Sequence, residues 1–326
     1  MLSYAGQAIL HAMIAALVVE ALLRLWRVGD PGERLGLRGV ALLGPLILTA
    51  AYMLLAPGRS TERFAERWAI FAGVHWDELR IGETGVASAA TVVLSILGLA
   101  LYLRDAVPFL ADRVTRRAGD TALPRSHPAV VRVQSCLETL PGPGPARPPA
   151  ITVVDLASPV LLCSGIDRTR ILVSTGTLDC LGDDELKAAL AHELSHLVAR
   201  DPLTGWWLMV VRTLQCFNPV IQVVGRQAVQ DLERRADLEV ARRGQSRPLA
   251  GAILRLSHAP EAHSDLAPAS ARGNLAARVV SVAHRHATDN RCQLLLEGAM
   301  PPPSPMHAWR VALASLALTL LLYLVV

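Results

Sequence analysis

Lysine, aromatic residues and charged residues are all scarce in this chain of 326 residues. Lys187 is its single lysine, aromatic residues make up 4% and charged residues 18%. The net charge of +4 is too small to indicate a nucleic-acid-binding protein. The five cysteines form no CxxC motif, so we expect buried, reduced thiols, as in a cytoplasmic soluble part.

Hydrophobic residues are abundant instead, at 52% with a mean hydropathy of +0.36. With a rise of about 1.5 Å per residue, a helix of about twenty apolar residues crosses a hydrocarbon layer of roughly 30 Å. A buried core helix would explain any one such run, but four together favour a membrane protein. The first run also lacks the basic start and cleavage pattern of a removable signal peptide. The four runs are residues 4–23, 37–56, 85–103 and 308–326.

Arginine placement predicts how the chain is oriented. Arginines crowd the loop between the first two runs and the segment after the third, and the positive-inside rule places both in the cytoplasm. We therefore expect a multi-pass protein of the inner membrane, with both termini outside and residues 104–307 in the cytoplasm. The loop 57–84 also holds four arginines, but five acidic residues accompany them. The cytoplasmic arginines are Arg24, Arg27, Arg34, Arg38, Arg104, Arg113, Arg116 and Arg117.

A fifth apolar run, residues 205–224, is interrupted by polar residues and by Pro219. A full crossing here would place the following helix on the opposite side of the membrane from the segment before it. We therefore expect a helix or helix pair that packs against the protein or lies at the membrane surface.

The pentapeptide His192-Glu193-Leu194-Ser195-His196 is an HExxH motif within a helical pattern. Residues four apart share a helix face, so His192 and His196 can bind one metal ion. Glu193 lies beside them, where it can take a proton from a water molecule that the metal activates. Two histidines on an apolar face are also compatible with a structural role, but a buried carboxylate between them needs a partner such as a metal. The pattern predicts a zinc hydrolase.

A catalytic zinc needs three protein ligands, and the third must come from elsewhere in the chain. Glu233 and Asp237 are four residues apart on a predicted helix, so one can bind the metal while the other holds a ligating histidine. A solvated helix with Asp231–Arg235 and Glu239–Arg243 pairs is the competing interpretation. Four further histidines stay open as ligands: His258, His263, His284 and His286.

Short β-like runs precede the motif, at residues 151–154, 160–163 and 171–173, and the last two are consistent with a hairpin that turns at 165–170. Such a strand either binds an extended substrate or simply supports the helix. We divide the chain into three transmembrane helices with loops (1–104), a juxtamembrane helical region and Pro-rich linker (105–149), a cytoplasmic-facing zinc peptidase domain (150–307) and a C-terminal transmembrane helix (308–326).

The run LVSTGTLDCLGDDELKAALAHELSHLVARDP, the later Phe217-Asn218-Pro219 and LERRAD resemble the integral-membrane metallopeptidases of the BlaR/MecR beta-lactam sensor-transducer family. They are also similar to the HtpX and CAAX prenyl protease group. The resemblance covers about residues 150–245, and it implies Glu233 as the third zinc ligand and Asp237 as a supporting residue. The sensor-transducers carry a penicillin-binding domain after the last span, which has no counterpart here, so beta-lactam sensing is not expected.

The expected fold is therefore a mainly α membrane protein with about four transmembrane helices. Its cytoplasmic part is expected to be an α+β, gluzincin-like HExxH protease domain with a small β-hairpin or sheet. The expected function is a Zn²⁺-dependent endopeptidase that is embedded in the lipid bilayer and cleaves protein at the cytoplasmic face, in regulatory or quality-control proteolysis. Its substrate is a cytoplasmic regulator, the chain itself or a membrane protein. Two alternatives stay open: a membrane receptor or regulatory partner in which proteolysis is incidental, and a purely structural zinc site.

Overall fold

A computed structural model describes residues 4–70, 80–81, 84–117, 122–140, 148–164, 169–258, 289–298 and 307–325. The chain forms two compact units, each built from separate stretches of sequence. Unit 1 comprises Met1–Val114, Gly205–Leu232 and Pro302–Val326, and unit 2 comprises Thr115–Thr204 and Glu233–Pro301. The domain limits expected from the sequence remain a prediction.

Helices make up most of the described residues, with two small sheets. The strands are β1 Arg80–Ile81, β2 Thr84–Gly85, β3 Ala150–Val154, β4 Leu161–Ser164 and β5 Arg170–Ser174. The helices, in chain order, are α1 Tyr4–Leu25, α2 Pro31–Leu55, α3 Glu62–Arg67, α4 Val86–Arg117, α5 Pro128–Glu138, α6 Thr175–Cys180, α7 Asp183–Val198, α8 Asp201–Leu214, α9 Pro219–Arg242, α10 Ser246–His258, α11 over 289–297 and α12 Ala308–Tyr323.

Three helices of unit 1 are long and apolar enough to cross a membrane: Tyr4–Leu25, Pro31–Leu55 and Val86–Ala106. They coincide with the first three predicted runs. The fourth run forms the shorter apolar helix Ala308–Tyr323. Asp30 caps α2 by accepting a hydrogen bond from Glu33 N at 3.0 Å, and Pro31 occupies the first helical position, which needs no N–H donor.

Buried ion pairs join the apolar helices of unit 1. Asp231 on α9 is fully buried and accepts from Arg34 and Arg38 of α2, while Glu33, 1% exposed, accepts from Arg310 of α12 at 3.2 Å. Arg59 donates to the carbonyls of Leu322 and Tyr323 at the end of α12 and of Val325 just beyond it. Each charge thus has a partner where burial would otherwise be costly.

The fifth apolar run forms a helix pair. Helix α8 ends at Leu214, residues 215–218 form a turn, and α9 begins at Pro219. Of the two expected forms, a single helix or a pair, the structure has the pair.

Unit 2 holds the three-stranded sheet, in the order β3-β5-β4. β4 and β5 are antiparallel, as the predicted hairpin requires, while β3 runs parallel to β5 and makes it the central strand. Residues 165–168 of the predicted turn lie outside the described residues, as do residues 141–147 of the Pro-rich linker. Val153, Ile171 and Val173 of the sheet pack with Leu186 and Leu190 of α7 in one core, and this packing fixes one face of the motif helix.

Helix α7 begins with two aspartates, Asp183 and Asp184. Its N-cap is Gly182, whose N–H donates to Glu185 Oε2 at 3.0 Å, so the two aspartates lie in the first turn. There they still complement the positive end of the helix dipole. All five cysteines are free thiols, as expected; Cys136 and Cys292 are buried, whereas Cys163, Cys180 and Cys216 are partly exposed.

Candidate metal centre

The HExxH residues and the downstream acidic pair lie together in unit 2. His192, Glu193 and His196 lie in the second half of α7, which ends at Val198. Glu233 and Asp237 sit one turn apart on α9. Because α7 is packed against the sheet through Leu186 and Leu190, the two histidines are buried, at 7% and 8% exposure.

His192, His196 and Glu233 form a group of donors that could hold a metal ion, with their ligand atoms within 4.8 Å of one another. The two Nε2 atoms are 3.1 Å apart, and Glu233 oxygens lie 3.4 Å from Nε2 of His192 and 3.7 Å from Nε2 of His196. A tetrahedral zinc with bonds of about 2.0–2.1 Å would separate its ligand atoms by roughly 3.3 Å. The spacing and the two-nitrogen, one-oxygen donor set therefore both fit zinc.

Each histidine also has a carboxylate at its second nitrogen. Asp237 Oδ1 lies 3.1 Å from Nδ1 of His192, and Nδ1 of His196 hydrogen-bonds to Asp201 Oδ2 at 2.8 Å. A carboxylate at Nδ1 fixes the ring orientation and leaves Nε2 as the coordinating atom. Asp237 was predicted from the sequence, whereas Asp201, five residues after His196, was not.

Two arginines complete the cluster. Arg291 of α11 donates two hydrogen bonds of 2.8 Å to Asp237 and lies 3.1 Å from Glu233 Oε2. Arg235 pairs with Asp201. The sequence suggested Asp231 as the partner of Arg235, and it gives no local signal for Arg291, which is 54 residues from Asp237 along the chain.

The charges around the site shift the pKa values of its ionisable groups. Burial alone would lower the pKa of His192, but the carboxylates of Asp237 and Glu233 outweigh it and raise that pKa to about 10. The pKa of Glu233 is lowered to about 2, because His192 and Arg291 counter the cost of burying the carboxylate. The pKa of Asp237 is lowered against burial by the same two neighbours. The directions of these shifts show that the site favours ionised carboxylates and a positive charge beside them, and a divalent metal would supply that charge.

Glu193 contacts the edge of the sheet. The backbone N–H of Cys163 in β4 donates to Glu193 Oε2 at 2.7 Å. A carboxylate can accept about four hydrogen bonds, so this one orients Glu193 without exhausting it. Burial and the neighbouring Glu193 charge raise the pKa of the Cys163 thiol, which is therefore neutral and unsuited to act as a nucleophile or ligand.

The remaining histidines considered from the sequence are placed differently. His258 is exposed at the end of α10, where its Nδ1 contacts Leu254 O at 2.8 Å. His263, His284 and His286 lie outside the described residues.

Apolar helices long enough to span a bilayer, together with two buried histidines and the partly exposed Glu233 at metal-ligand spacing, are features of a membrane-associated metallopeptidase. The family model of the BlaR1 peptidase M56 matches residues 80–282, well over half of the chain, and the chain belongs to this family. The metallopeptidase family implies a divalent metal, typically zinc.

A curated relative supports the same class. The chain is 34% identical over 111 residues to a protein described as a protease HtpX homolog from Acidiphilium cryptum (strain JF-5). The match covers 32% of this chain and 39% of that relative, well under half of the length of each.

Proposed function

We propose that the protein is a membrane-anchored zinc endopeptidase in which His192, His196 and Glu233 hold the metal. The observation that carries this proposal is the convergence of two Nε2 atoms and one carboxylate, with an aspartate beside each Nδ1. A solvated α9 with Asp231–Arg235 pairing is disfavoured, because Asp231 pairs with arginines of α2 and Arg235 pairs with Asp201.

When bound, zinc would act as a Lewis acid and bring the pKa of a coordinated water toward neutrality. Glu193 takes the proton of the attacking water and delivers it to the leaving amine of the peptide. Asp237 and Asp201 keep the two imidazoles oriented, and Arg291 holds Glu233 and Asp237 in place.

An extended peptide substrate fits the edge of β4. Val160 pairs with Ser174 through the Ser174 N–H to Val160 O bond, so alternation directs the backbone groups of Leu161 and Cys163 away from β5. Cys163 N–H already contacts Glu193, which puts this edge beside the proposed base. A substrate strand added here would bring its peptide bond toward the metal ligands. The substrate is a cytoplasmic regulator, the chain itself or another membrane protein.

For the membrane topology we propose four spans, with α12 as the fourth, in the inner membrane and with the active site facing the cytoplasm. Arginines in the α1–α2 loop and after the third span support this orientation through the positive-inside rule. At 16 residues, about 24 Å, α12 alone is shorter than the hydrocarbon layer of roughly 30 Å, so the proposal needs flanking residues or local thinning.

The test is the Glu193→Gln variant, which keeps the shape of the side chain but removes the base. We expect zinc content by elemental analysis to be unchanged and cleavage to fall by about 10²–10⁴-fold. Cleavage is measured by comparing new protein N-termini in cells that carry the active chain or the variant. Asp184→Asn, an exposed change on the same helix, is the matched control and should behave as the unchanged chain.

Undiminished cleavage by Glu193→Gln would contradict this mechanism. If neither strain showed new N-termini, the result would favour the alternative of a receptor or regulatory partner.

A further inference from the structure

The helix pair α8–α9 lies, within unit 1, against two of the candidate membrane spans. Its turn contacts the middle of the span Val86–Ala106: a Cβ built on Gly98 would lie 2.3 Å from Phe217 O, so the two backbones touch where only glycine leaves room. Gly98 is eight residues before Ala106, about 12 Å along the helix.

The same turn reaches α1 near its first residues. Asn218 Nδ2 donates to Ala8 O at 3.2 Å, and the rings of Phe217 and Tyr4 are 6.4 Å apart, edge to face. Ala8 is seventeen residues before the end of α1 at Leu25, about 25 Å. The turn therefore lies level with the interior of the third span and with the first turns of α1, whichever way the chain is oriented.

Ion pairs also tie the helix pair to the end of the third span. Asp105 accepts from Arg212 of α8 and, at 2.8 Å, from Arg226 of α9. Arg226 also donates to Leu101 O at 2.8 Å. Contacts thus run along the third span from Asp105, which pairs with one arginine of each helix, to Gly98, which contacts the turn.

Helix α8 is too short to cross a membrane. Its fourteen residues extend about 21 Å, against a hydrocarbon layer of roughly 30 Å, and the chain then reverses. The pair therefore has the length of a hairpin that enters and leaves on one side.

The turn has the internal hydrogen bonding that a chain reversal at membrane depth requires. Non-helical backbone is tolerated there only when protein satisfies its polar groups. Asn218 Oδ1 accepts from Val220 N and Ile221 N at the start of α9, and Gln222 Nε2 donates to the carbonyls of Arg212 and Gln215 at the end of α8. Gln215, Asn218 and Gln222 are all 0% exposed. Gln215 Nε2 alone among these side-chain groups has no partner within the described residues.

The outer face of the pair is apolar. Trp206, Trp207, Leu214, Val223 and Val229 are between 40% and 60% exposed, and they continue the exposed apolar surface of the third span, where Leu97 is 47% exposed. Tryptophan is the side chain enriched at the membrane–water interface, and Trp206 and Trp207 lie at the shallow end of α8.

We propose that residues 205–232 form a re-entrant helical hairpin whose outer face contacts lipid acyl chains and whose turn lies at the depth of Gly98. In the chain, this hairpin is inserted between His196 and Glu233, two of the proposed metal ligands. The proposal rests on the membrane location of the spans and not on proteolysis, so its test needs no activity.

Depth-dependent quenching of tryptophan tests the hairpin in the full chain, reconstituted in phosphatidylcholine vesicles. The lipid is brominated either near the headgroup or near the middle of the acyl chain. Trp26, Trp68, Trp76, Trp207 and Trp309 are replaced by Phe, which leaves a single tryptophan at 206. In three further variants Trp206 is also replaced by Phe, and the single tryptophan is introduced by Leu214→Trp, Val223→Trp or Val229→Trp. Leu97→Trp on the same background gives the reference for the depth of Gly98.

We expect the ratio of deep to shallow quenching to match the Leu97→Trp reference at positions 214 and 223, and to fall well below it at 206 and 229. An equal, low ratio at all four positions would show a surface helix pair and overturn the proposal. Because a full crossing would give the same ratios, spin labels on single cysteines introduced at 206 and 229 measure the distance between these positions. A short distance supports the hairpin, whereas about 35 Å, the length of a continuous helix over these residues, would show a full crossing and also overturn the proposal. Circular dichroism identical to that of the unsubstituted chain confirms that each variant is folded.

Discussion

The metal centre repeats one arrangement twice. His192 and His196 each face an aspartate, and each aspartate faces an arginine: Asp237 with Arg291, and Asp201 with Arg235. Repetition follows from electrostatics, because a buried carboxylate that orients an imidazole needs a compensating charge of its own. Asp201 is therefore as important to the proposed site as the predicted Asp237.

Asp201→Asn and Asp237→Asn should each weaken zinc binding by about 10–100-fold, because the amide orients and polarises the imidazole less than the carboxylate does. Competition with a chromogenic zinc chelator measures this in purified protein. Asp179→Asn, an exposed aspartate of the same unit, is the control and should leave the affinity unchanged. If the Asp201→Asn variant bound zinc as tightly as the unchanged chain, only His192, and not His196, would need a carboxylate at its second nitrogen for zinc binding.

At the level of elements, two glycines in apolar helices have different surroundings. Substituting each of them separates the effect of packing from the effect of helix propensity. A Cβ on Gly98 would meet Phe217 O at 2.3 Å, whereas a Cβ on Gly44 of α2 meets nothing within 4 Å. The first glycine is needed for the close approach of the helix-pair turn, and the second is not.

Gly98→Ala should lower the thermal unfolding temperature, since an overpacked contact costs about 1–3 kcal/mol. Gly44→Ala should be neutral or stabilising by up to about 1 kcal/mol, since alanine is the better helix former. Both changes are measured on full-length protein in the same detergent. Equal effects of the two substitutions would contradict the observed packing of the turn on the third span.

For the whole molecule, the orientation is the property that decides which proteins the site can reach. The proposed topology places the loop between α1 and α2 in the cytoplasm. It places the loop that contains α3, between the second and third spans, outside. Reporter fusions distinguish the two sides, because green fluorescent protein exported in unfolded form stays dark whereas alkaline phosphatase is active only outside the cytoplasm.

Fusions truncated after Asp30 and after His258 should be fluorescent with green fluorescent protein and inactive with alkaline phosphatase. A fusion truncated after Arg67 should show the reverse. The opposite pattern at all three positions would place the metal centre outside the cytoplasm and remove the proposed cytoplasmic substrates.

Local sequence patterns sufficed for much of the fold. Hydrophobic length predicted the three long apolar helices, and β-branched runs predicted that β4 and β5 pair. These features depend on neighbours in sequence, through helix periodicity and strand alternation. The parallel pairing of β3 with β5 was not predicted, because its register depends on a connection whose path the sequence does not show.

The sequence by itself determined the helix that carries His192, Glu193 and His196, since residues four apart on a helix share a face whatever surrounds them. It also left Glu233 and Asp237 as a pair with open roles. Only the tertiary structure decided that Glu233 lies within 3.7 Å of both Nε2 atoms while Asp237 faces Nδ1, and that Asp201, Arg235 and Arg291 join them. The physical reason is that charge compensation at a buried site acts through space, between residues that the chain brings together only when it folds.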